Sequence, residues 1–270
     1  MASSFIATAG WSVPREYAAL ATAEGSGLQR YASILGATEI NSTFWRRHQP
    51  KTFARWQGSV PPAFRFAVKL PRSITHEAAL VSPQTDLAAF FDDIGGLGEK
   101  LGPVLVQLPA SVQFNARRVA AFFRAVRALY SGPVACEPRH ISWYVAPASA
   151  IFVEYGVSRV VADPPRPEQA RLPDGASSLR YIRWHGSPHI YWSRYDDERV
   201  AALANFIASE PKGTTVWCVF DNTASGAALG DACRLSKLLA ARAAAPQRAP
   251  DDARVVAKSP STRRRSATSS

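Results

Sequence analysis

Short runs of β-branched and aromatic residues alternate with helix-length amphipathic stretches, and no other feature of this chain limits its fold as much. The runs are FIATAG (5–10), ATEINSTF (37–44), RFAVKLP (65–71), PVLVQLP (103–109), PVACEP (133–138), RVVAD (159–163), LRYIRWHG (179–186) and TVWCVFDN (215–222). Between them apolar residues recur at helical spacing, as in 115–130 and 196–209. Asn115 is a candidate N-cap of the first stretch, and Asp196 places negative charge at the start of the second. Eight strand–helix units predict parallel strands that close into a TIM-type (β/α)8 barrel.

A doubly wound open sheet is the rival fold, but it usually has fewer strands and often a glycine-rich first turn, which this chain lacks. The chain has 270 residues, and one TIM-type barrel takes roughly 250, so we predict a single barrel domain over 1–242. Residues 164–178 are rich in proline and predict an irregular excursion after the sixth strand. Residues 243–270 are poor in large apolar residues and carry six Lys/Arg against two Asp/Glu, which predicts a disordered basic tail.

Charge and cysteine content limit the classes of partner and compartment. The formal net charge of +11 favours anionic partners, with nucleic acid among them, without specifying one. Three cysteines without CxxC spacing indicate reduced thiols rather than a disulfide framework or a zinc knuckle. No signal peptide and no run of 18 apolar residues is evident, so we expect a cytoplasmic protein without a membrane span.

Strand parity sorts the polar residues onto one face. Successive side chains of a strand point to opposite faces, so the inward residues of a strand share parity. One face of the predicted strands is almost wholly apolar, as helix-covered strands require, and the other carries polar residues near the C-terminal strand ends. Barrel enzymes place their chemistry at that end. The predicted inward set is Glu39, Lys69, Glu137, Arg139, Asp163, His185 and Asp221, and Arg183 shares the face of His185 without an assigned role.

The catalytic candidates are the carboxylates and the lysine of this set. Glu39 and Lys69 come from neighbouring strands and are expected to face each other, either as a structural ion pair or with Lys69 binding an anion or acting as a nucleophilic amine. Glu137 and Asp163 end adjacent strands, and two nearby carboxylates raise each other's pKa, which suits acid/base chemistry unless a basic neighbour neutralises them. Asp221 completes the catalytic candidates from the eighth strand.

The substrate-binding candidates lie at strand ends and in the following loops. HGSP (185–188) and DNTASGAALG (221–230) have small residues that let a ligand approach the backbone. The second segment opens a helix, whose N–H groups attract anions; close helix packing by Gly226 and Ala227 is the alternative. Aromatic residues after the strands either stack on a sugar or base or pack as a lid. The candidates are Asn41, Phe44, Gln107, Arg139, Trp143, His185, Gly186, Asn222 and Gly226.

Four histidines, His76, His140, His185 and His189, lie at or after strand ends. Together with the carboxylates they are able to bind Mn, Mg or Zn, but no HxH or HExxH spacing supports such a site. We therefore assign no metal ligand, and the cofactor remains open.

Seven segments together resemble one family: TAGWS (8–12), EINSTF (39–44), RFAVKLPRSITH (65–76), LGPVLVQLP (101–109), CEPRHISW (136–143), YIRWHGSP (181–188) and VWCVFDNTASGAAL (216–229). Over about residues 5–240 the chain resembles the YecE-like family, catalogued as domain of unknown function 72. The resemblance implies a TIM-type barrel in a cytoplasmic, mostly bacterial protein, and it implies no activity, since the family has none assigned. The family commonly has Tyr where this chain has Trp45 or Trp192. Its recurrent residues correspond here to Glu39, Asn41, Phe44, Lys69, Gln107, Glu137, Arg139, Trp143, His185, Gly186, Asp221, Asn222 and Gly226.

Three functional hypotheses follow. In the first, the protein is an enzyme acting on a small anionic, phosphorylated or sugar-like substrate, with Glu137 and Asp163 as acid/base residues and Lys69, Arg139 and His185 holding negative charge. In the second, it carries out metal-dependent phosphoester chemistry, as a phosphoesterase or a nuclease-like enzyme, with the carboxylates and His185 as the metal ligands. In the third, it is a non-enzymatic nucleic-acid-binding or protein-binding module that uses the basic surface. The substrate and the oligomeric state stay open.

Overall fold

Ten β-strands run through the described residues, 3–81 and 83–244 of the computed structural model. They are β1 (Ser3–Thr8), β2 (Ala37–Ile40), β3 (Arg65–Lys69), β4 (Leu101–Gln107), β5 (Val134–Glu137), β6 (Val157–Arg159), β7 (Val161–Asp163), β8 (Asp174–Gly175), β9 (Leu179–Trp184) and β10 (Thr215–Phe220). Each of the eight predicted runs overlaps at least one of these strands. The sixth run is divided at Val160 into β6 and β7.

Helices follow most of the strands. They are α1 (Gly27–Ala32), α2 (Pro50–Gly58), α3 (Gln84–Ile94), α4 (Ala116–Leu129), α5 (Ala146–Glu154), α6 (Asp197–Ser209) and α7 (Ala227–Ala244). The predicted caps are confirmed: the Asn115 side chain accepts a hydrogen bond from the N–H of Arg118 at 3.0 Å, and Asp196 accepts one from the N–H of Arg199 at 2.8 Å. Short 3-10 turns cover Arg15–Leu20, Ser42–Phe44, Gly95–Lys100, Ile141–Trp143 and Glu168–Arg171, and one π-helical turn covers Ser73–Glu77.

The strands form two hydrogen-bonded sheets. One has the order β1-β10-β9-β7 and the other the order β2-β3-β4-β5-β6-β8. All neighbours pair in parallel except β6 and β8, which are antiparallel. The predicted α/β class with parallel strands is therefore confirmed. The hydrogen-bonded strands form two sheets rather than one continuous sheet, so this pairing does not by itself establish the predicted closed barrel.

The proline-rich excursion after the sixth strand is more ordered than predicted. The prediction for 164–178 was irregular chain, whereas the structure has the 3-10 turn Glu168–Arg171 followed by β8. β8 pairs with β6 through Ser158 and Arg159. The predicted tail, 243–270, lies outside the described residues except for its first two, which end α7.

Two separate apolar clusters confirm the parity of the strands. The outer core packs one strand face against the helices and contains alternate strand residues such as Val68, Val106 and Ile182. The inner core lies between the two sheets and comprises Ala7, Ala37, Ala67, Leu105, Ala135, Val160, Leu179, Tyr181, Trp217 and Val219. Small alanines beside Trp217 and Tyr181 let these large rings fill the interior, so the space below the polar strand ends is packed with side chains.

Cys136 and Cys218 are buried free thiols, and Cys233 is a partly buried one. Across 3–81 and 83–244, none of the helices is both long and apolar enough to cross a membrane.

Candidate functional site

Arg183 is the centre of the polar strand ends. Its side chain is fully buried, and its guanidinium binds three carboxylates that come from three other strands or strand ends. Nη2 donates to Glu39 at 2.8 Å and to Asp221 at 3.1 Å, and Nη1 donates to Glu137 at 2.7 Å. The planar fork of an arginine can serve several carboxylates at once, which a lysine ammonium does less well. We call Glu39, Glu137, Arg183, His185 and Asp221 the charged cluster.

Glu39 is bound by Arg183 and not by Lys69. Arg183 Nε also donates to Glu39 Oε2 at 3.1 Å, and the Tyr181 hydroxyl donates to the same oxygen at 2.8 Å. Burial raises the pKa of Tyr181 well above its usual value, so this hydroxyl keeps the proton that it donates. The predicted Glu39–Lys69 pair is therefore wrong, because a residue from β9 occupies the carboxylate that β3 was expected to meet.

His185 lies between two carboxylates. Its Nδ1 is 3.0 Å from Asp221 Oδ2, and its Nε2 is 3.3 Å from Glu137 Oε1. The Nε2 atom is buried and makes no hydrogen bond within the described chain. Burial by itself lowers the pKa of His185, but the charge of Glu137 and the hydrogen bond with Asp221 raise it above the usual value. The imidazole is thus held between two carboxylates, through the hydrogen bond of Nδ1 with Asp221 and the ion pair of Nε2 with Glu137.

Glu137 has positive groups on both of its oxygens. Arg139 Nε and Nη2 donate to Oε1 at 3.0 and 2.8 Å, and Arg183 binds Oε2. Burial alone would raise the pKa of Glu137, yet Arg139, Arg183 and His185 hold it well below its usual range. The expectation that a neighbouring Asp163 raises this pKa is wrong, and Glu137 is an ionised carboxylate rather than a general acid.

Asp163 points away from the charged cluster. Val160 belongs to the inner core and Val161 packs on the outer core, so Asp163, two residues further on, faces outward. There Arg199 of α6 donates to both carboxylate oxygens at 2.6 Å, and the Tyr195 hydroxyl donates to Oδ1 at 3.1 Å. The structure therefore places this catalytic candidate in an ion pair between β7 and α6.

Lys69 is a buried amine beside aromatic rings. It is 7% exposed, and its Nζ lies 3.9 Å from the centroid of the Phe44 ring. Burial and the charge of Arg183 lower the pKa of Lys69 to about 8, against the opposing effect of the carboxylates. His76 packs edge-on against Phe44 at 4.9 Å, and burial together with Lys69 and Arg139 lowers the pKa of His76 to about 4. Lys69 and Arg139 thus place positive charge on the side of the site that contains Phe44 and His76.

A cavity of about 230 Å³ opens beside His185, and we call it the His185 cavity. Its lining contains Glu137, Arg139, Ala162, Pro164, Arg166, His185, Ile190 and Tyr191. Tyr191 has a φ of +69°, a left-handed conformation that is unfavourable for a bulky residue, and its N–H donates to the carbonyl of His185 at 2.5 Å. Strained residues of this kind often occur at binding sites. The cavity has two arginines and His185 at its wall, which is a suitable environment for an anion.

Four other substrate-binding candidates lie near the charged cluster. Asn41 has a buried Oδ1 without a hydrogen-bond partner in the described chain, and Gln107 is opposite Glu137 in the β4–β5 register. Phe44 carries Lys69 on its ring. Gly186 has a φ of +98°, and a Cβ there would be 3.1 Å from Asn222 Cβ, so glycine is needed for the turn after β9.

The last three candidates are engaged in packing or in hydrogen bonds within the chain. Trp143 is fully buried in the outer core, where its Nε1 donates to the carbonyl of Val112 at 2.8 Å. Asn222 is fully buried and donates to Ser193 and Asp231. A Cβ on Gly226 would be 2.9 Å from Pro14, so this glycine serves close packing.

Some N–H groups of the segment before α7 and of its first turn have acceptors within the chain. The N–H of Ala224 donates to the Tyr191 carbonyl at 3.0 Å, that of Gly226 to the Thr223 carbonyl at 3.1 Å, and that of Ala228 to the Asn222 carbonyl at 3.2 Å. The N–H groups of Ala224 and Gly226 are therefore already used and do not serve as the predicted backbone donors to an anion.

Within residues 3–81 and 83–244, no three His, Cys, Asp or Glu side chains are placed to hold a metal ion. The chemistry of the donors agrees with this: Arg183 occupies oxygens of Glu39, Glu137 and Asp221 that a divalent ion would need.

Sequence reasoning missed the central role of Arg183. Its parity placed it inward, beside His185, but nothing in the pattern showed that one guanidinium would join three carboxylates. The available signal was the excess of inward carboxylates over inward cations among strand ends, since a buried carboxylate requires a partner. Arg166 and Tyr191 of the His185 cavity were also missed as site residues, because both lie in loops.

The model of one protein family, described as "Protein of unknown function DUF72", matches residues 5–254. The UPF0759 protein YecE of Escherichia coli strain K12 is 27% identical over 154 residues, which covers 55% of this chain and 56% of that protein. The UPF0759 protein YecE of Escherichia coli O157:H7 is 29% identical over 104 residues, which covers 38% of each chain. This chain therefore spans about half the length, or less, of these curated relatives.

Two solved structures resemble the fold over nearly its whole length. A DUF72 family protein of Enterococcus faecalis V583 superposes with a TM-score of 0.73 at 23% identity, covering 88% of this chain and 95% of that chain. A DUF72 family protein of Thermotoga maritima MSB8 superposes with a TM-score of 0.71 at 23% identity, covering 88% of this chain and 99% of that one. At this level of identity the likeness concerns the fold alone.

Proposed function

Because the chain belongs to the DUF72 family, whose function is unknown, its activity has to be argued from the site, and we propose that it is an enzyme acting on a small anionic substrate. The observation that carries this proposal is the His185 cavity, whose lining contains Arg139, Arg166 and His185. Two guanidinium groups and an imidazole at one cavity attract an anion and bind it through charge-assisted hydrogen bonds.

The balance of charge supports an anionic substrate. With Lys69 and Arg139 included and His185 protonated, the charged cluster has four positive groups against three carboxylates. One positive charge in excess is unfavourable in a buried site and is balanced by one negative group of a ligand. A phosphorylated or carboxylated small molecule meets this requirement, and Arg139 offers a guanidinium that is 26% exposed to contact it.

His185 is the acid/base residue of this proposal. Asp221 holds the ring through Nδ1, and Nε2, which lies 3.3 Å from Glu137 Oε1, is the nitrogen that would give a proton to the substrate or take one from it. The pKa of an imidazole begins near neutral pH and is raised here, whereas the pKa values of Glu137 and Asp221 are lowered from values that are already acidic, so the imidazole is the better proton carrier. Glu39, Glu137 and Asp221 position Arg183 and His185 instead of transferring protons.

We further propose that the two sheets close into one barrel of eight strands, which would bring all these residues to one mouth. Two junctions support this closure. The N–H of Gly10 donates to the Glu39 carbonyl at 2.8 Å, which continues β1 onto β2. Between β6 and β7, the N–H of Val160 donates to the Cys136 carbonyl at 2.9 Å. An experimental structure with an open gap at either junction would contradict closure.

A thermal-shift screen tests the anion site. We expect phosphate, sugar phosphates or small carboxylates to raise the Tm of the native chain, since a ligand at 100 times its Kd adds about 2.7 kcal/mol of stability. Arg139→Met should abolish the shift, and Arg124→Met, which changes an exposed arginine of α4, should not. Equal shifts in both variants would refute an anion site at Arg139.

Turnover of the ligands found in this way tests catalysis. His185→Gln should retain anion binding and lose product formation as followed by NMR. His48→Gln is the control, because His48 bonds to Ser42 and packs on Trp56, outside the His185 cavity. Unchanged turnover in His185→Gln would show that His185 is not the acid/base residue.

A further inference from the structure

Lys69 is a buried amine that the proposed function uses only as a positive charge. The chain has six lysines, and Lys69 and Lys100 are the buried ones among its described residues. The two differ in one respect that decides their chemistry. Lys100 donates to the carbonyls of Gln57 and Val60 at 2.6 and 2.7 Å, whereas Lys69 Nζ has no acceptor among the described residues.

Arg183 is the reason that Lys69 has no acceptor. The carboxylates of Glu39, Glu137 and Asp221 are near enough to act on the charge of Lys69, but Arg183 binds all three. The amine is left above the face of Phe44, which attracts a cation but accepts no conventional hydrogen bond. Among the described residues, no hydrogen bond to a carboxylate therefore stabilises the protonated form of Nζ.

The neutral amine is well populated in this environment. Burial and Arg183 lower the pKa of Lys69 to about 8, so about a tenth of the molecules carry a free amine at neutral pH. An exposed lysine with an ordinary pKa has a neutral fraction lower by a factor of about 10². Lysines that are desolvated beside another cation are the kind that act as nucleophiles.

We propose that Lys69 forms a covalent imine with a carbonyl group of the substrate. The neutral amine attacks the carbonyl carbon, a C–N bond forms, and the carbonyl oxygen takes up the proton that the nitrogen loses. The resulting carbinolamine then expels its hydroxyl as water as the second N–H proton leaves, so amine and carbonyl yield imine and water without an external oxidant or reductant. The inference rests on the proposed anion site and specifies its substrate as an anionic aldehyde or ketone.

The position of His76 indicates how one small molecule would reach both groups. Lys69 Nζ and the His76 ring both contact Phe44, at 3.9 and 4.9 Å from its centroid, and the charge of Arg139 acts on the same imidazole. Nε and Nη2 of Arg139 bind Glu137 at the wall of the His185 cavity. A substrate with its anionic group at Arg139 would present a carbonyl on the Lys69 side.

Reductive trapping on the full chain tests the inference. The protein is incubated with glycolaldehyde phosphate and sodium borohydride at about pH 8, and the labelled lysines are identified by peptide mass mapping. We expect Lys69 to be labelled about tenfold or more faster than exposed Lys51, because its neutral fraction is larger. Lys100 serves as the buried control, because burial lowers its pKa as well while two carbonyls bind its Nζ, and it should be labelled more slowly than Lys69.

Two further arms separate this inference from the proposed function. Neutral glycolaldehyde should label Lys69 more slowly than its phosphate ester, and Arg139→Met should remove the difference. If Lys69 is labelled equally fast with and without the phosphate group, and equally fast in Arg139→Met, the result would support the nucleophile and refute the anion site. Phosphate-dependent thermal shifts without any preference for Lys69 would support the anion site and refute the imine. Lys69→Arg must lose the label while keeping the fold, as monitored by circular dichroism.

Discussion

Arg183→Met removes the one guanidinium that binds three buried carboxylates, and we expect a large loss of stability. Four hydrogen bonds disappear, two to Glu39, one to Glu137 and one to Asp221. Removing one partner of a buried ion pair costs about 3–5 kcal/mol, since the remaining charges stay buried without compensation. Domains of this kind unfold with about 5–15 kcal/mol, so the variant should be marginally stable.

The pH dependence of this loss gives a second, independent signature. In the native chain the pKa values of Glu137 and Asp221 are held below their usual values, so their contribution is complete above the pKa of the unfolded chain and is lost as the pH falls through the folded pKa. Without Arg183, Asp221 loses the strongest of the charges that oppose its burial, so its pKa is expected to rise above the unfolded value, whereas Glu137 keeps Arg139 and His185. The variant should therefore gain stability between about pH 7 and about pH 5, where the native chain does not.

Urea unfolding at both pH values measures the effect, with Arg180→Met as the matched control. Arg180 lies at the other end of β9 and pairs with a single buried carboxylate, Glu210, so its loss of stability should be smaller than that of Arg183→Met. If Arg183→Met does not fold, Arg183→Lys replaces it in the experiment, because lysine keeps the positive charge but lacks the planar guanidinium. A loss under about 1 kcal/mol in Arg183→Met, as for a surface pair, would refute the reasoning.

Three other measurements follow from the site and the core. Lys69→Met should raise the free energy of unfolding at neutral pH by up to about 3 kcal/mol, because a pKa lowered from 10.5 to about 8 means that folding destabilises the ammonium form. Urea unfolding should show this gain below pH 8, and the gain should disappear towards about pH 10. The NMR titration of the His185 ring should have a midpoint above the usual histidine value, and Asp221→Asn should lower it; a midpoint that does not move would show that Asp221 does not hold the imidazolium. Trp143→Ala should cost about 3–5 kcal/mol of unfolding free energy, whereas Trp192→Ala, at a side chain 61% exposed, should change it by about 0.5 kcal/mol at most; equal losses would contradict the burial of Trp143.

Much of the fold was predictable because strand and helix periods are local. Every predicted run overlaps a strand, and both named helix caps, Asn115 and Asp196, are confirmed. The family resemblance is also confirmed, since the DUF72 model matches residues 5–254. Parity alone placed Glu39, Glu137 and Asp221 together, because it depends only on position along a strand.

The errors concern properties that local pattern does not contain. Asp163 faces α6 because the sixth run places Val160 and Ala162 inward, and Asp163 has the opposite parity. Asp163 was predicted to face inward only from its position at the end of this run, without an assignment of parity. Trp143 follows a strand, as a lid residue would, but the 3-10 turn Ile141–Trp143 directs it into the outer core against Phe114 and Phe152.

The sequence by itself determined which faces of the strands are polar and that acids and bases of both signs meet at one end. Only the tertiary structure decided which of them neutralise one another. Arg183 and Glu39 are 144 residues apart, and their pairing depends on the distance and orientation of side chains across the interior, which no local period encodes. That pairing leaves Lys69 Nζ without a hydrogen-bond acceptor among the described residues. The chemistry available at the site depends on this amine and on the groups that line the His185 cavity, because a group that is already paired has no capacity left for a substrate.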